Sequence, residues 1–209
     1  MLIRLRDLST LSVRGADGAT HDVVDLLTPR DGPRITHVVT RLGGLFARRG
    51  CAIRADAFGR PDLDRNEWPV AVEEGQVEGG GGAVAVLCAP DALPDPADVA
   101  AAEGTGPLAR LSEIDERPVI GADGQPAGRV MDFVIDPEGR RIASVVVATP
   151  GGHQRVVPIE AFARVDWDAA EVHLSCAAGP VSDSPELHEV GGAIEGHWYN
   201  RVLAYYGFG

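Results

Sequence analysis

Apolar residues in this chain fall in short runs bounded by turn residues, the pattern of half-buried or buried strands rather than long helices. The second half reads most clearly. Arg129 to Ile135 alternates, Met131 and Phe133 facing away from Val130 and Asp132. Ile142 to Ala148 is a continuous β-branched run, Arg155 to Ile159 a strand with Pro158 near its end, and Glu171 to Cys176 a last strand. Between them lie Gly121-Ala122-Asp123-Gly124, Asp136-Pro137-Glu138-Gly139 and Pro150-Gly151-Gly152, whose Gly, Pro and Asp supply the backbone angles of tight turns. Glu160-Ala161-Phe162 is long enough for one helical turn. Several short strands over about seventy residues predict a small closed or nearly closed barrel, which hides its edges.

The first half repeats this order. Gly15-Ala16-Asp17-Gly18 recurs as Gly121–Gly124, and Leu5-Arg6-Asp7-Leu8 matches Leu111-Ser112-Glu113-Ile114. Asp25-Leu26 then matches Asp132-Phe133, and Gly32, Arg34, Ile35, Val38 and Val39 match Gly139, Arg141, Ile142, Val145 and Val146. Ala57-Phe58 matches Ala161-Phe162, and Gly75 and Val77 match Gly179 and Val181. The order never breaks, as in a duplicated domain. The expected fold is mainly β: two tandem small barrels, residues 1–89 and 109–184, with a linker at 90–108 and a tail at 185–209.

Two segments carry helical signals. Asp95 as N-cap, Pro96 as first helical residue and Gly104 as stop predict a short linker helix. In the tail, Leu187, Val190, Ile194, Trp198 and Val202 or Leu203 recur at helical spacing, a stripe with no counterpart in the first repeat. Its glycines, Gly191, Gly192 and Gly196, weaken a helix, so the tail is read as helical or extended. Gly79 to Gly82 is followed by a strand-like run and the chain has no Lys, so this is a turn and not a phosphate-cradling loop.

Composition narrows the function. The net charge of −12 is uneven: residues 1–89 carry eleven Arg against twelve acids, residues 90–209 eight against nineteen. A surface that neutralises phosphates must be basic, so nucleic acid is an unfavoured partner. No stretch suits a membrane helix or a signal peptide. Three widely spaced cysteines, Cys51, Cys88 and Cys176, read as reduced core thiols of a cytoplasmic protein.

The turn Ala-Asp-Gly, the loop Asp136-Pro137-Glu138-Gly139-Arg140 and the run Val156-Val157-Pro158-Ile159-Glu160-Ala161-Phe162 resemble the PRC-barrel domain family. Gly43-Gly44-Leu45-Phe46-Ala47-Arg48-Arg49-Gly50 resembles that family's Gly-rich, Arg-bearing loop before the fourth strand. The family includes the cytoplasmic domain of the photosynthetic reaction centre H subunit and the barrel of the ribosome maturation factor RimM. The resemblance implies a barrel of about six strands that docks or assembles other proteins, with no catalytic residues and no cofactor. It implies a non-catalytic docking or assembly module of the bacterial cytoplasm, either free or peripheral to an inner-membrane photosynthetic or electron-transfer complex. The alternative is a RimM-like RNA or ribosome assembly factor.

Local spacing adds no chemistry to this. The six histidines form no metal-ligand pattern, and no nucleophile motif surrounds Cys51 or Cys176. Asp25 and Asp132, alike in both repeats, are expected to bond neighbouring turns. Two partner-binding or self-binding candidates remain. One is Leu45, Phe46, Arg48 and Arg49, suited to an acidic protein or anionic lipid. The other is the tail, where Trp198, Tyr199, Tyr205, Tyr206 and Phe208 could dock on the chain itself, on a second copy or on another protein.

Overall fold

The computed structural model describes residues 1–42, 49–73, 75, 85–187, 189–190 and 193–209. Sixteen strands lie among them. The first eight are β1 (Leu2–Arg4), β2 (Ser12–Arg14), β3 (Thr20–Pro29), β4 (His37–Leu42), β5 (Arg49–Arg54), β6 (Glu67–Pro69), β7 (Ala85–Pro90) and β8 (Leu108–Arg110). The rest are β9 (Pro118–Ile120), β10 (Pro126–Asp136), β11 (Arg141–Ala148), β12 (Gln154–Pro158), β13 (Phe162–Asp166), β14 (Glu171–Leu174), β15 (Glu189–Val190) and β16 (Ala193–Ile194). The fold is mainly β. Its strands form one nine-stranded and one seven-stranded sheet. The expected barrel closure is not seen: among the described residues each sheet is branched and ends in strands that pair with one other strand only, β12, β13 and β15 in one, β6, β7 and β8 in the other.

The repeats correspond strand by strand. Strands β2 and β9 each pair antiparallel with a long strand, β3 or β10, and parallel with a late one, β6 or β14. The long strand then pairs with β4 or β11, which pairs with β5 or β12. The long strands share a bulge, between Val23 and Asp25 and between Val130 and Asp132, and β10 has further register shifts at Pro126/Gly128 and Val134/Ile135. The shared Gly-Ala-Asp-Gly turns also agree. Gly18 and Gly124 have φ of 85° and 73°, and Asp17 and Asp123 each accept the N–H two residues on, at 3.0 and 3.2 Å. That positive φ is why glycine closes both turns.

The compact units are drawn differently from the segments expected. One, the first unit, is Asp7–Leu111 with Pro137–Arg140; the second is Met1–Arg6, Ser112–Asp136 and Arg141–Gly209. The reason is an exchange of leading strands. Strand β1 pairs with β10, Arg4 opposite Val134 and Ile3 opposite Ile135. Strand β8 pairs with β3, Arg110 opposite Leu27 and Ala109 opposite Thr28. These registers are the same in repeat coordinates, so each repeat lends its first strand to the other. Arg4 is nearly fully buried, and its Nε donates to Asp132 Oδ2 at 2.7 Å. Asp132 and Asp25 each also accept the next residue's N–H at 2.8 Å, so these aspartates brace a bulge rather than a turn.

The linker helix (Pro96–Glu103) forms as its caps require: Asp95 Oδ1 accepts Ala97 N–H at 2.8 Å, and Gly104 ends it with φ of 65°. It is not a free linker. Val99 and Ala100 pack with Leu27, Val39, Ala52 and Leu108 in the core of the first unit. In the second unit the C-terminal helix (Gly196–Tyr205) covers the matching residues, Val134, Val146 and Val156 with Leu2. The two helices are counterparts, which corrects the expectation that the tail had none.

A second correction concerns the thiols. Cys51 and Cys88 stand directly opposite on β5 and β7 and are joined by a disulfide, while Cys176 is free and half-buried. Facing positions 37 residues apart in sequence are set by strand register, which spacing alone does not reveal. A loop of that size predicts about 4 kcal/mol of stabilisation by chain entropy. Titrating with a phosphine reductant should therefore lower the melting temperature of the first unit, followed by hydrogen exchange in β3–β5, and leave β10–β12 unmoved.

Candidate functional site

The tail was one candidate surface, and its aromatics turn largely inward. Leu187 and Ile194 do not share a helix with Trp198: β16 pairs with β1, Ile194 opposite Leu2, so the helix begins only at Gly196. Trp198, Tyr199 and Val202 are buried against Val134, Ala143, Val146 and Val156. The Tyr199 hydroxyl lies 2.9 Å from Ser144 Oγ and donates to the Ala143 carbonyl at 3.0 Å. Burial pushes this phenol upward, and it pushes Tyr206 up to about 12. Tyr205 and Phe208 stay outside, at 42% and 43% exposure; the Tyr205 hydroxyl donates to the Pro180 carbonyl at 2.9 Å. The docking surface of Trp198 is thus the second unit itself.

Of the hairpin candidate, Leu45, Phe46 and Arg48 lie outside the described residues. Arg49 is exposed at the start of β5, opposite Leu42 on β4. With Arg41, also exposed, it lines a depression of about 340 Å³ together with Gly50, Asp91, Ala92 and Leu93. A Cβ on Gly50 would come within 2.3 Å of the Ala92 carbonyl, so only glycine lets the chain cross β5 here. Among the described residues no carboxylate lies within ion-pair distance of Arg41 or Arg49.

A second cavity of the first unit, about 190 Å³, was not foreseen. Its lining includes Arg34, Thr36, His37, Arg54, Glu103 and Arg140. Arg54 is answered by Asp56 at 3.1 Å and Glu103 at 3.6 Å, whereas Arg34 and Arg140 have no acidic partner among the described residues. The Ile35 N–H donates to the Arg140 carbonyl at 2.8 Å, holding Arg140 at the cavity with a left-handed φ of 51°. His37 is buried, and desolvation lowers its pKa against the opposing pull of Glu103. The Thr36 hydroxyl lies 3.2 Å from the Leu27 carbonyl and 3.0 Å from His37 Nδ1. His37 Nε2 is buried and has no hydrogen-bond partner among the described residues. The only hint in the sequence was Arg34, matched to Arg141 by the repeat.

Among the described residues no three acids, histidines or cysteines are grouped to hold a metal ion. The free thiol Cys176 is pushed upward by burial, the opposite of an activated nucleophile.

No curated protein sequence matches this chain. A solved structure described as a 16S ribosomal RNA processing protein, RimM, from Pseudomonas aeruginosa is similar over 76% of this chain and 99% of its own, at 16% identity and a TM-score of 0.27. The PRC-barrel domain family matches residues 107–174, from the exchanged strand β8 to the end of β14. Residues 107–174, with their turns, bulged long strand and parallel closing pair, are thus the part of this chain that is similar to a PRC-barrel domain.

Proposed function

We propose that the chain is a non-catalytic docking protein whose two repeats are both PRC-barrel-type units. One observation carries this reading: what the repeats share becomes turns, a braced bulge and core, so nothing duplicated is spent on chemistry. The units differ at their surfaces, and there the first unit presents Arg34, Arg41, Arg49 and Arg140 without acidic partners among the described residues. An RNA partner is disfavoured by charge. The apparent acid asymmetry disappears once exchanged segments are counted with their units: eleven Arg against seventeen acids in the first, eight against fourteen in the second, a net of −6 each.

No described helix is long and apolar enough to cross a membrane. The Cys51–Cys88 disulfide favours an oxidising compartment over the reducing cytoplasm that the cysteine spacing suggested. The test is a photo-crosslinking amino acid at position 49, activated in living cells. A discrete protein adduct, absent with the same probe at the exposed residue Arg65, is expected. Adducts to RNA alone, or identical adducts at both positions, would overturn the docking reading.

A further inference from the structure

The place of the cavity beside His37 has an equivalent in the second unit, where Tyr199 and two carboxylates occupy it. Arg141, the repeat equivalent of Arg34, is answered there by two carboxylates of its own unit, Asp136 at 3.6 Å and Glu160 at 3.8 Å. In the first unit Pro29 stands at the position of Asp136, and Asp56, at the position of Glu160, is turned to Arg54. The place beside Arg34 therefore lacks one of the two carboxylates that the same fold supplies elsewhere, and the other is engaged by Arg54. Tyr199 likewise caps Ser144 and Ala143, the equivalents of His37 and Thr36. The linker helix, Pro-Ala-Asp-Val-Ala-Ala-Ala-Glu, has no aromatic to do so and leaves a cavity. Arg140, also without an acidic partner among the described residues, lines the same cavity, in a unit that otherwise carries excess negative charge.

We propose that this cavity is an anion site that takes the carboxylate of an acidic side chain presented by a partner polypeptide. The inference rests on the docking reading and names the chemistry of the partner. A planar carboxylate suits the fork of a guanidinium, and Arg34 and Arg140, which have no acidic partner among the described residues, line one cavity. Free phosphate fits less well, because Glu103 and Asp56 share the cavity and repel a dianion more than a monoanion.

The test is an NMR titration of the full-length, isotope-labelled protein with a hexaglutamate peptide, a hexaglutamine peptide and inorganic phosphate. Saturable shifts of the Arg34 and Arg140 Nε and His37 imidazole signals are expected with hexaglutamate. The His37 titration, influenced by Glu103 of the linker helix, Arg54 of β5 and Asp56 just beyond it, should move to higher pH in the complex. Arg34→Gln with Arg140→Gln should weaken hexaglutamate at least tenfold, while Arg65→Gln leaves it unchanged. Absence of saturable binding, equal binding of hexaglutamine, or tighter binding of phosphate would each overturn the proposal. Protein adducts retained at position 49 alongside such a failure would leave docking intact on another surface; loss of those adducts with hexaglutamate still bound would count against docking alone.

Discussion

Deleting residues 1–6 is expected to unfold the second unit, most of which lies more than a hundred residues away, while the first unit stays folded. Ile3 is fully buried, and it pairs with Ile135 of β10 on one side and Ala193 of β16 on the other. Losing a side chain of that kind costs about 1.5–3 kcal/mol. Removing Arg4 leaves Asp132 buried beside an empty place, and breaking a buried pair costs about 3–5 kcal/mol. The half of β10 that faced β1 would also lose its ladder, and β15–β16 its attachment. Together these losses approach the roughly 5–15 kcal/mol that holds a whole domain. Hydrogen exchange would show loss of protection in β10–β12 with β3–β5 retained. Adding a peptide of residues 1–8 in trans should restore it. Unchanged protection in β10–β12 would mean that β1 is an ornament and the exchange has no energetic weight. Fragments 1–105 and 106–209 should for the same reason fold poorly alone and combine one to one.

The exchange shows where reading the chain as a string stops working. The periods and turns of β10, β11, β12 and β14 were legible because each is local: alternation, a β-branched run and Gly or Pro at the bends. Leu2-Ile3-Arg4 is too short to carry a period, and its partners lie some 130 residues on. The linker helix was legible from Asp95, Pro96 and Gly104, since capping is also local. Its role was not, because an eight-residue helix of small side chains bears no resemblance to Gly196–Tyr205 except through the core residues both cover. The disulfide and the cavity beside His37 fail for a shared reason. Both depend on which residues face each other across a sheet or between a strand and a helix, and that no carboxylate among the described residues pairs with Arg34 is telling only against the paired Arg141.

Trp198→Ala is expected to detach the C-terminal helix and expose the core face of the second unit. The ring is 4% exposed and sits with Tyr199 and Val202 on Val134, Ala143, Val146 and Val156. Truncating a buried aromatic to Ala costs about 3–5 kcal/mol. The helix has little in reserve. It starts at Gly196 and has no side-chain cap from Glu195, while ordering its backbone opposes folding by about 1–2 kcal/mol per residue. Side-chain burial is the main term that offsets this, beside the Tyr199 and Tyr205 hydrogen bonds, so losing its largest contributor should release the helix as a unit. Limited proteolysis should then cut after about residue 195, a boundary set by β16, which remains held by β1. Tyr199→Phe is the milder companion. It leaves the ring in place but removes the hydroxyl from Ser144 and the Ala143 carbonyl, and should cost about 1–2 kcal/mol without releasing the helix. Tyr205→Ala, at a ring 42% exposed, should cost less than either. Because Trp198 is buried on its own unit, light scattering should give one mass for wild type and Trp198→Ala. A lower mass in the variant would place the contact across two copies, and an unchanged cleavage pattern would show that Trp198 does not hold the helix at all.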